Sequence, residues 1–302
     1  MATNDNKNKI LNKILSPQEC FLLKHKMPYI LDLKKGNQGL LYMGVEHSRD
    51  PKNKQYLQIA SLFKKFLRQY SKDSIMLAIE GFVPSAPSSK NDGIVNFGES
   101  GLLMHLAQKY QLDYFCPEPS QNEILKYVLN LNLFKKEDIA LWIFLNTLWN
   151  ILKVSPTLSE KEISSLNTLI SYLDRQLDSR KSNPNKFYWA RFKKRLNEIT
   201  GGEVLPDNLE NLEQKQIDIK IIERLQNPFI EGTVLNNIGS KINYARDRLI
   251  AASFIKKITR GENIFSIYGV NHVVAQEPAL RLVFMQKKGH IDNINMPYNM
   301  EV

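Results

Sequence analysis

The chain has 302 residues, 43% hydrophobic and 24% charged, the composition of an ordinary globular protein with a core sufficient for one large domain or two small ones. Its two cysteines, Cys20 and Cys116, exclude a disulfide framework and have no CxxC spacing, which points to a reducing compartment. Residues 1–17 lack the apolar stretch of a signal peptide, and the longest apolar run, residues 139–154, is broken by Asn146, Asn150 and Lys153 and falls short of the ~20 residues of a membrane span. A soluble cytoplasmic protein is expected, with signal-independent secretion left open.

In chain order, Leu40 to Met43 is a predicted buried strand, followed by Gly44-Val45-Glu46-His47. A helix is predicted over 54–70 from the spacing of Tyr56, Ile59, Ala60, Phe63, Leu67 and Tyr70. Residues 74–79 form a short apolar run that ends in Glu80-Gly81, and a loop crowded with Pro, Ser, Asn and Gly covers 84–93. Then come a helix over 102–110, with Glu99 just before it, and a short strand over 112–116 that ends at Pro117-Glu118-Pro119.

From 121 helical patterns dominate: roughly 121–134, 137–153, 159–179, 186–199 and 213–226, with capping boxes at Ser120 to Glu123 and Ser159 to Glu162. A helix over 242–259 and a strand over 264–268 restore the α/β alternation, ending in Gly269-Val270-Asn271-His272, and residues 280–285 fit either a strand or a helix. The pattern predicts an α/β fold with a central, mainly parallel sheet flanked by helices. That core is built from 1–120 and 240–302, with a large all-helical insertion over 121–239 acting as a wall or lid.

The net charge of +10 raises the question of an acidic partner. The densest basic cluster, Arg180, Lys181, Lys186, Arg191, Lys193, Lys194 and Arg195, is interleaved with Phe187, Tyr188, Trp189 and Phe192. No nucleic-acid motif accompanies it, so it is assigned to an amphipathic surface helix and nucleic acid is not expected as a partner.

The two Gly-Val-x-His segments carry the functional signal. Each places an imidazole just past a strand end, where open α/β sheets hold their ligands. Glu80 and Glu118 end two further strands at the same edge. Taken singly, each is also what a solvated strand end or a structural histidine looks like; together they form a set of acids and bases that either binds a divalent metal or shifts one another's pKa values. Glu99 fits either a helix-dipole partner or a crevice carboxylate. Asp247 lies in the apolar stripe of Ile250, Ala251, Phe254 and Ile258 and requires a partner, which the neighbouring Arg246 or Arg248 would supply.

These segments together resemble the Tiki/TraB-like superfamily, which includes the erythromycin esterases and ChaN-like haem-binding proteins. Met43-Gly44-Val45-Glu46-His47 with Asp50-Pro51 is similar to its first motif, and Ala245-Arg246-Asp247 to its Arg-Asp step. The resemblance covers 40–120 and 240–275, and the first motif departs from the Gly-Glu-x-x-His of the esterases. It implies a pocket of His47, Glu80, Glu99, Arg246 and His272, with Asp247 as an orienting partner, and hydrolysis in several members.

The leading expectation is a hydrolase of a peptide, amide or ester bond, acting on a small molecule or a peptide. In one version His47, His272 and one or both of Glu80 and Glu99 hold manganese or zinc, and Arg246 stabilises the oxyanion. In the other His47 is a general base without metal. The rival is a non-catalytic protein on the same scaffold that binds haem or metal or has a regulatory role.

Overall fold

The computed structural model describes residues 8–23, 25–81, 83, 85–154, 158–177, 184–207 and 218–285. The chain divides into two compact units, Met1–Ser120 with Tyr244–Val302, and Gln121–Asn243.

The first unit is built on one five-stranded sheet in the order β1-β2-β5-β3-β4. Its strands are Tyr29–Lys35 (β1), Gln38–Val45 (β2), Ile75–Ile79 (β3), Asp113–Phe115 (β4) and Asn263–Gly269 (β5). β2, β5, β3 and β4 run parallel, and β1 is an antiparallel edge strand. β5 comes from the far end of the chain and enters between β2 and β3, with Leu40 opposite Ile264 and Ile75 opposite Asn263. This central strand is buried along nearly its whole length, as expected of a parallel strand covered on both faces.

Alternation along β5 sends its side chains to two separate cores. Ile264 and Tyr268 face Tyr42, Ile250, Phe254, Val273 and Leu280, whereas Phe265 and Ile267 face Met43, Ile59, Phe63, Phe66 and Leu103. The helices over the first face are Val234–Thr259 (its part from Tyr244 onward) and Val270–Met285; those over the second are Gln55–Gln69 and Lys90–Tyr110. Each fully buried Phe or Leu in these layers contributes about 1.5–3 kcal/mol relative to exposure.

In chain order the helices are Pro17–Leu22 (α1), Gln55–Gln69 (α2), Lys90–Tyr110 (α3), Gln121–Asn130 (α4), Lys136–Val154 (α5), Glu160–Leu177 (α6), Pro184–Thr200 (α7), Ile219–Gln226 (α8), Val234–Thr259 (α9) and Val270–Met285 (α10). The second unit is helical, and Ser159 and Glu162 cap α6 reciprocally. Residues 139–148 supply buried Ile139, Leu141, Phe144, Leu145 and Leu148 to its core, and no helix among the described residues is long and apolar enough to cross a membrane. In α7, Trp189 and Phe192 are buried against Phe144, while Arg191 and Arg195 pair with Glu137 and Asp138. Trp189 and Phe192 of that basic cluster are thus core residues and not a stacking platform, and the side chains of Phe187 and Tyr188 lie outside the described residues. Arg180, Lys181 and the side chain of Lys186 lie outside the described residues, as does the start of the helix expected over 213–226.

Residues 280–285, which fit either a strand or a helix, are helical, the end of α10. β1, to which no element was assigned, alternates buried Leu31 and Leu33 with exposed Ile30, Asp32 and Lys34, the period of a half-buried edge strand. Two expectations need correction. The helix expected over 242–259 begins at Val234, so Arg246 and Asp247 lie well inside α9. α3 begins at Lys90, within the expected loop, with Ser89 as its N-cap.

Glu99 therefore follows a break in a helix. Gly98 has φ 58° and ψ −133°, a combination open to glycine alone at low cost. A Cβ at Gly98 would also sit 3.0 Å from the Ser48 carbonyl oxygen. Gly98→Ala is expected to cost about 1–3 kcal/mol, read as a lower denaturation midpoint, with Glu99 displaced; an unchanged midpoint would contradict the account of this kink.

Candidate active site

Because β2, β5, β3 and β4 are parallel, the residues after them gather at one edge of the sheet. His47 follows β2, Glu80 follows β3, Glu118 lies just past β4, and His272 occupies the first turn of α10 directly after β5. Gly269 lies at the centre of this edge. Its amide donates to Glu80 Oε2 at 2.9 Å, and a Cβ there would be 3.0 Å from His47 Nε2 and 3.8 Å from His272 Cδ2. The His47 ring thus lies so close to the backbone that a side chain at 269 would crowd it, while His272 would meet the same Cβ at an ordinary contact distance.

Each imidazole is held by its own carboxylate. His47 Nδ1 donates to Glu99 Oε2 at 3.1 Å, and His272 Nδ1 donates to Asp247 Oδ1 at 2.8 Å. Glu80 lies between them, with Oε2 3.5 Å from His47 Nε2 and Oε1 4.0 Å from His272 Nε2.

Arg246 ties the set together. Its Nε and Nη2 donate to the two oxygens of Glu118 at 2.6 and 2.7 Å, Nη2 also reaches Glu80 Oε1 at 3.3 Å, and Nη1 donates to His272 Nε2 at 3.0 Å. A guanidinium has donors only. His272 Nε2 must therefore be the acceptor, and its ring proton sits on Nδ1, facing Asp247. Burial opposes the charge on Arg246, but the hydrogen bonds of Glu118 and the charges of Glu118, Glu80 and Asp247 outweigh it and hold its pKa above the usual value.

The supports behind the two histidines differ. Glu99, almost fully buried, receives on Oε1 the Ser48 amide at 3.1 Å and Gln55 Nε2 at 2.7 Å, with the Tyr56 hydroxyl 3.3 Å away. Burial, and then the charge of Glu99, raise the Tyr56 pKa, so its hydroxyl stays neutral. Asp247 also accepts from Gln276 Nε2 at 2.7 Å, and Gln276 in turn accepts from Tyr42 at 3.3 Å. Nearby Cys20 is inert: burial first, and then Asp247, push its thiol up to about 12.

Exposure separates the two rings further. The His272 side chain is 14% exposed and that of His47 58%. His47 borders a cleft of about 440 Å³ lined by Met27, Pro28, Val45, Glu46, Ser48, Asn53 and Gln55, within the size range of small-molecule sites. The hydrogen bond to Glu99 raises the His47 pKa; burial works against this, and the charges of Glu80 and Glu99 add to it.

For a divalent ion the donors would be His47, His272, Glu80 and Glu99. In the structure Arg246 occupies His272 Nε2, and Glu99 is saturated by its own donors. Among the described residues no group of three or more His, Cys, Asp or Glu side chains is disposed to hold an ion. The arrangement fits a proton-handling network better than an ion cage.

All six residues singled out in the sequence, His47, Glu80, Glu99, Arg246, Asp247 and His272, belong to this one network. Two assignments change. The partners of Asp247 are His272 and Gln276 and not an arginine, because successive helix residues point ~100° apart. Arg248 instead contacts Leu11 O and Asn12. Glu118, one of the strand-end acids but outside the pocket that the resemblance implies, proves to be the bidentate partner of Arg246. Gln276 was detectable as the i+4 neighbour of His272. Gln55 and Tyr56 gave no signal, Tyr56 counting as one apolar residue among others. No protein-family model, curated protein or solved structure matches the chain.

Two outcomes follow from this geometry. Arg246→Ala leaves Glu80 and Glu118 facing each other unpaired and is expected to destabilise the protein by about 3 kcal/mol; adding Glu118→Gln should recover part of the loss, measured by urea denaturation, and full additivity would contradict the pairing. The imidazole of His47, followed by NMR, should titrate above its ordinary 6.5, and Glu99→Gln should lower its midpoint. The sign is that of a raised base: the charged pair stabilises the fold fully below the ordinary imidazole range and is lost as pH rises through the folded value.

Proposed function

We propose that this protein is a hydrolase of a peptide, amide or ester bond in which His47 is the general base. The observation that carries the reading is that, among the described residues, His47 is the ionisable side chain shared by the cleft and the buried network: Glu99 fixes its Nδ1, Glu80 lies 3.5 Å from its Nε2, and the side chain is 58% exposed. The Tiki/TraB-like resemblance of the two Gly-x-x-His segments points the same way.

In this reading water attacks the substrate carbonyl carbon and gives its proton to His47 Nε2. Glu99 stabilises the imidazolium through the Nδ1 proton. When the tetrahedral intermediate collapses, Nε2 returns the proton to the leaving nitrogen or oxygen. Glu80, held by the Gly269 amide, orients the water. Arg246 uses four of its five N–H groups on Glu118, Glu80 and His272, and the remaining Nη1 proton is the donor available to a developing oxyanion. His272 and Asp247 position Arg246. An ion-assisted route is the other version of this hypothesis, and a chelator distinguishes the two.

A panel of p-nitrophenyl esters, amides and short peptides tests the reading. His47→Ala is expected to reduce kcat by ~10²–10⁴, and Glu99→Gln by less. The acid limb of the wild-type pH–rate profile should fall above 6.5, since only neutral His47 accepts a proton, and should move down in Glu99→Gln. Activity that persists in His47→Ala would refute the assignment; activity lost to a chelator and restored by manganese or zinc would favour the ion-assisted route. Haem binding abolished by His47→Ala and His272→Ala, without any hydrolysis, would favour the ligand-binding alternative.

A further inference from the structure

Among the described residues, eight line the cleft beside His47, and two of these, Glu46 and His47, carry ionisable side chains. The other polar side chains of the lining have partners within the protein. Ser48 Oγ accepts the Asp50 amide at 3.2 Å, Asn53 Oδ1 accepts the Gln55 amide at 3.0 Å, and Gln55 Nε2 donates to Glu99 Oε1 at 2.7 Å. His47 is held by Glu99. Glu46 is exposed and, among the described residues, takes no hydrogen bond and no ion pair.

The backbone on either side of this carboxylate is anchored. Val45 closes the parallel ladder opposite Gly269, and His47 follows at once. Consecutive Cα atoms lie about 3.8 Å apart, so a group bound at Glu46 sits within one side-chain length of a bond in reach of the His47 ring.

The rest of the lining indicates what that group is. Met27, Pro28 and Val45 supply apolar surface. A carboxylate beside apolar surface matches a cationic head on a methylene stem: the stem covers the apolar wall and the head meets the carboxylate. No lysine or arginine is among the described residues of the lining. Behind His47, Glu80, Glu99, Glu118 and Asp247 face the guanidinium of Arg246. The field at the cleft therefore opposes an anionic group and draws in a cation, although the chain as a whole carries +10.

We propose that Glu46 is a specificity-determining residue that selects substrates with a cationic side chain, of the lysine or arginine type, beside the scissile bond. The scissile bond rests on the hydrolytic reading of His47; the cation site at Glu46 does not.

Three p-nitrophenyl esters test this, those of Nα-acetyl-lysine, of Nα-acetyl-norleucine, which keeps the stem without the ammonium, and of Nα-acetyl-2-aminoadipate, which is anionic. The lysine ester is expected to exceed the norleucine ester in kcat/KM by about tenfold or more, with the anionic ester slowest and the preference weakening with salt. Glu46→Gln should bring the lysine-to-norleucine ratio close to one, and Glu46→Lys should favour the anionic ester, both with the thermal melt of wild type. Equal rates for the lysine and norleucine esters, or a preference unchanged in Glu46→Gln, would overturn the proposal and leave the hydrolytic reading standing. If none of the esters is hydrolysed, that reading fails, and Glu46 is judged by binding of Nα-acetyl-lysine methylamide, followed through the His47 ring by NMR. Saturable binding that weakens about tenfold in Glu46→Gln supports the cation site; no binding, or binding equal to that of the norleucine amide, overturns it.

Discussion

The guanidinium of Arg246 is the contact on which the arrangement depends. It meets Glu118 with two hydrogen bonds, Glu80 with one and His272 with one. Without it, two carboxylates would face each other at the sheet edge with their charges uncompensated. A paired charge of this kind is costly to break but adds little net stability over an apolar packing. Its presence is better explained by what it organises: it fixes where Glu80 can point and leaves His272 with a single ring proton directed at Asp247.

A division of labour follows between two otherwise similar Gly-Val-x-His segments. His272 is enclosed by Arg246, Asp247 and the Tyr42–Gln276 pair behind Asp247, and serves as part of the scaffold. His47 has Glu99 behind it, Glu80 beside it and the cleft in front, and its side chain is the more exposed of the two; in the proposed reading it is the ring that exchanges a proton with a ligand. The sheet makes both placements possible, because β5 is threaded between β2 and β3 and sets Gly269 between the two rings and Glu80.

The α/β class and the mainly parallel sheet were legible because buried strands and amphipathic helices differ in period, and β2, β3 and β5 are strongly apolar. The edge strand β1 was passed over, although Leu31 and Leu33 alternate with Asp32 and Lys34 at the period of a half-buried strand, because the run is short and less apolar than its neighbours. Of the six residues singled out, His47, Glu80 and His272 were found from strand ends, Asp247 from an apolar stripe, Glu99 from its place before a helix, and Arg246 from the family resemblance. Their pairing was beyond reach, because it depends on helix phase and on the order in which strands enter the sheet. The Asp247 partner shows this well: the adjacent arginines were the local choice, whereas the actual partners come from α10, after β5. The conformation of Gly98 was equally hidden, and with it the route by which Glu99, expected just ahead of a helix, turns back toward His47.

The central claim is that the two histidines are chemically unequal because Arg246 donates to one of them. Nitrogen-15 NMR of the imidazole rings at neutral pH tests it most directly. The account predicts that His272 carries its proton on Nδ1, with Nε2 unprotonated and accepting a hydrogen bond, and that this signature disappears in Arg246→Ala. A His272 ring protonated on Nε2 in the wild-type protein would contradict the network as described.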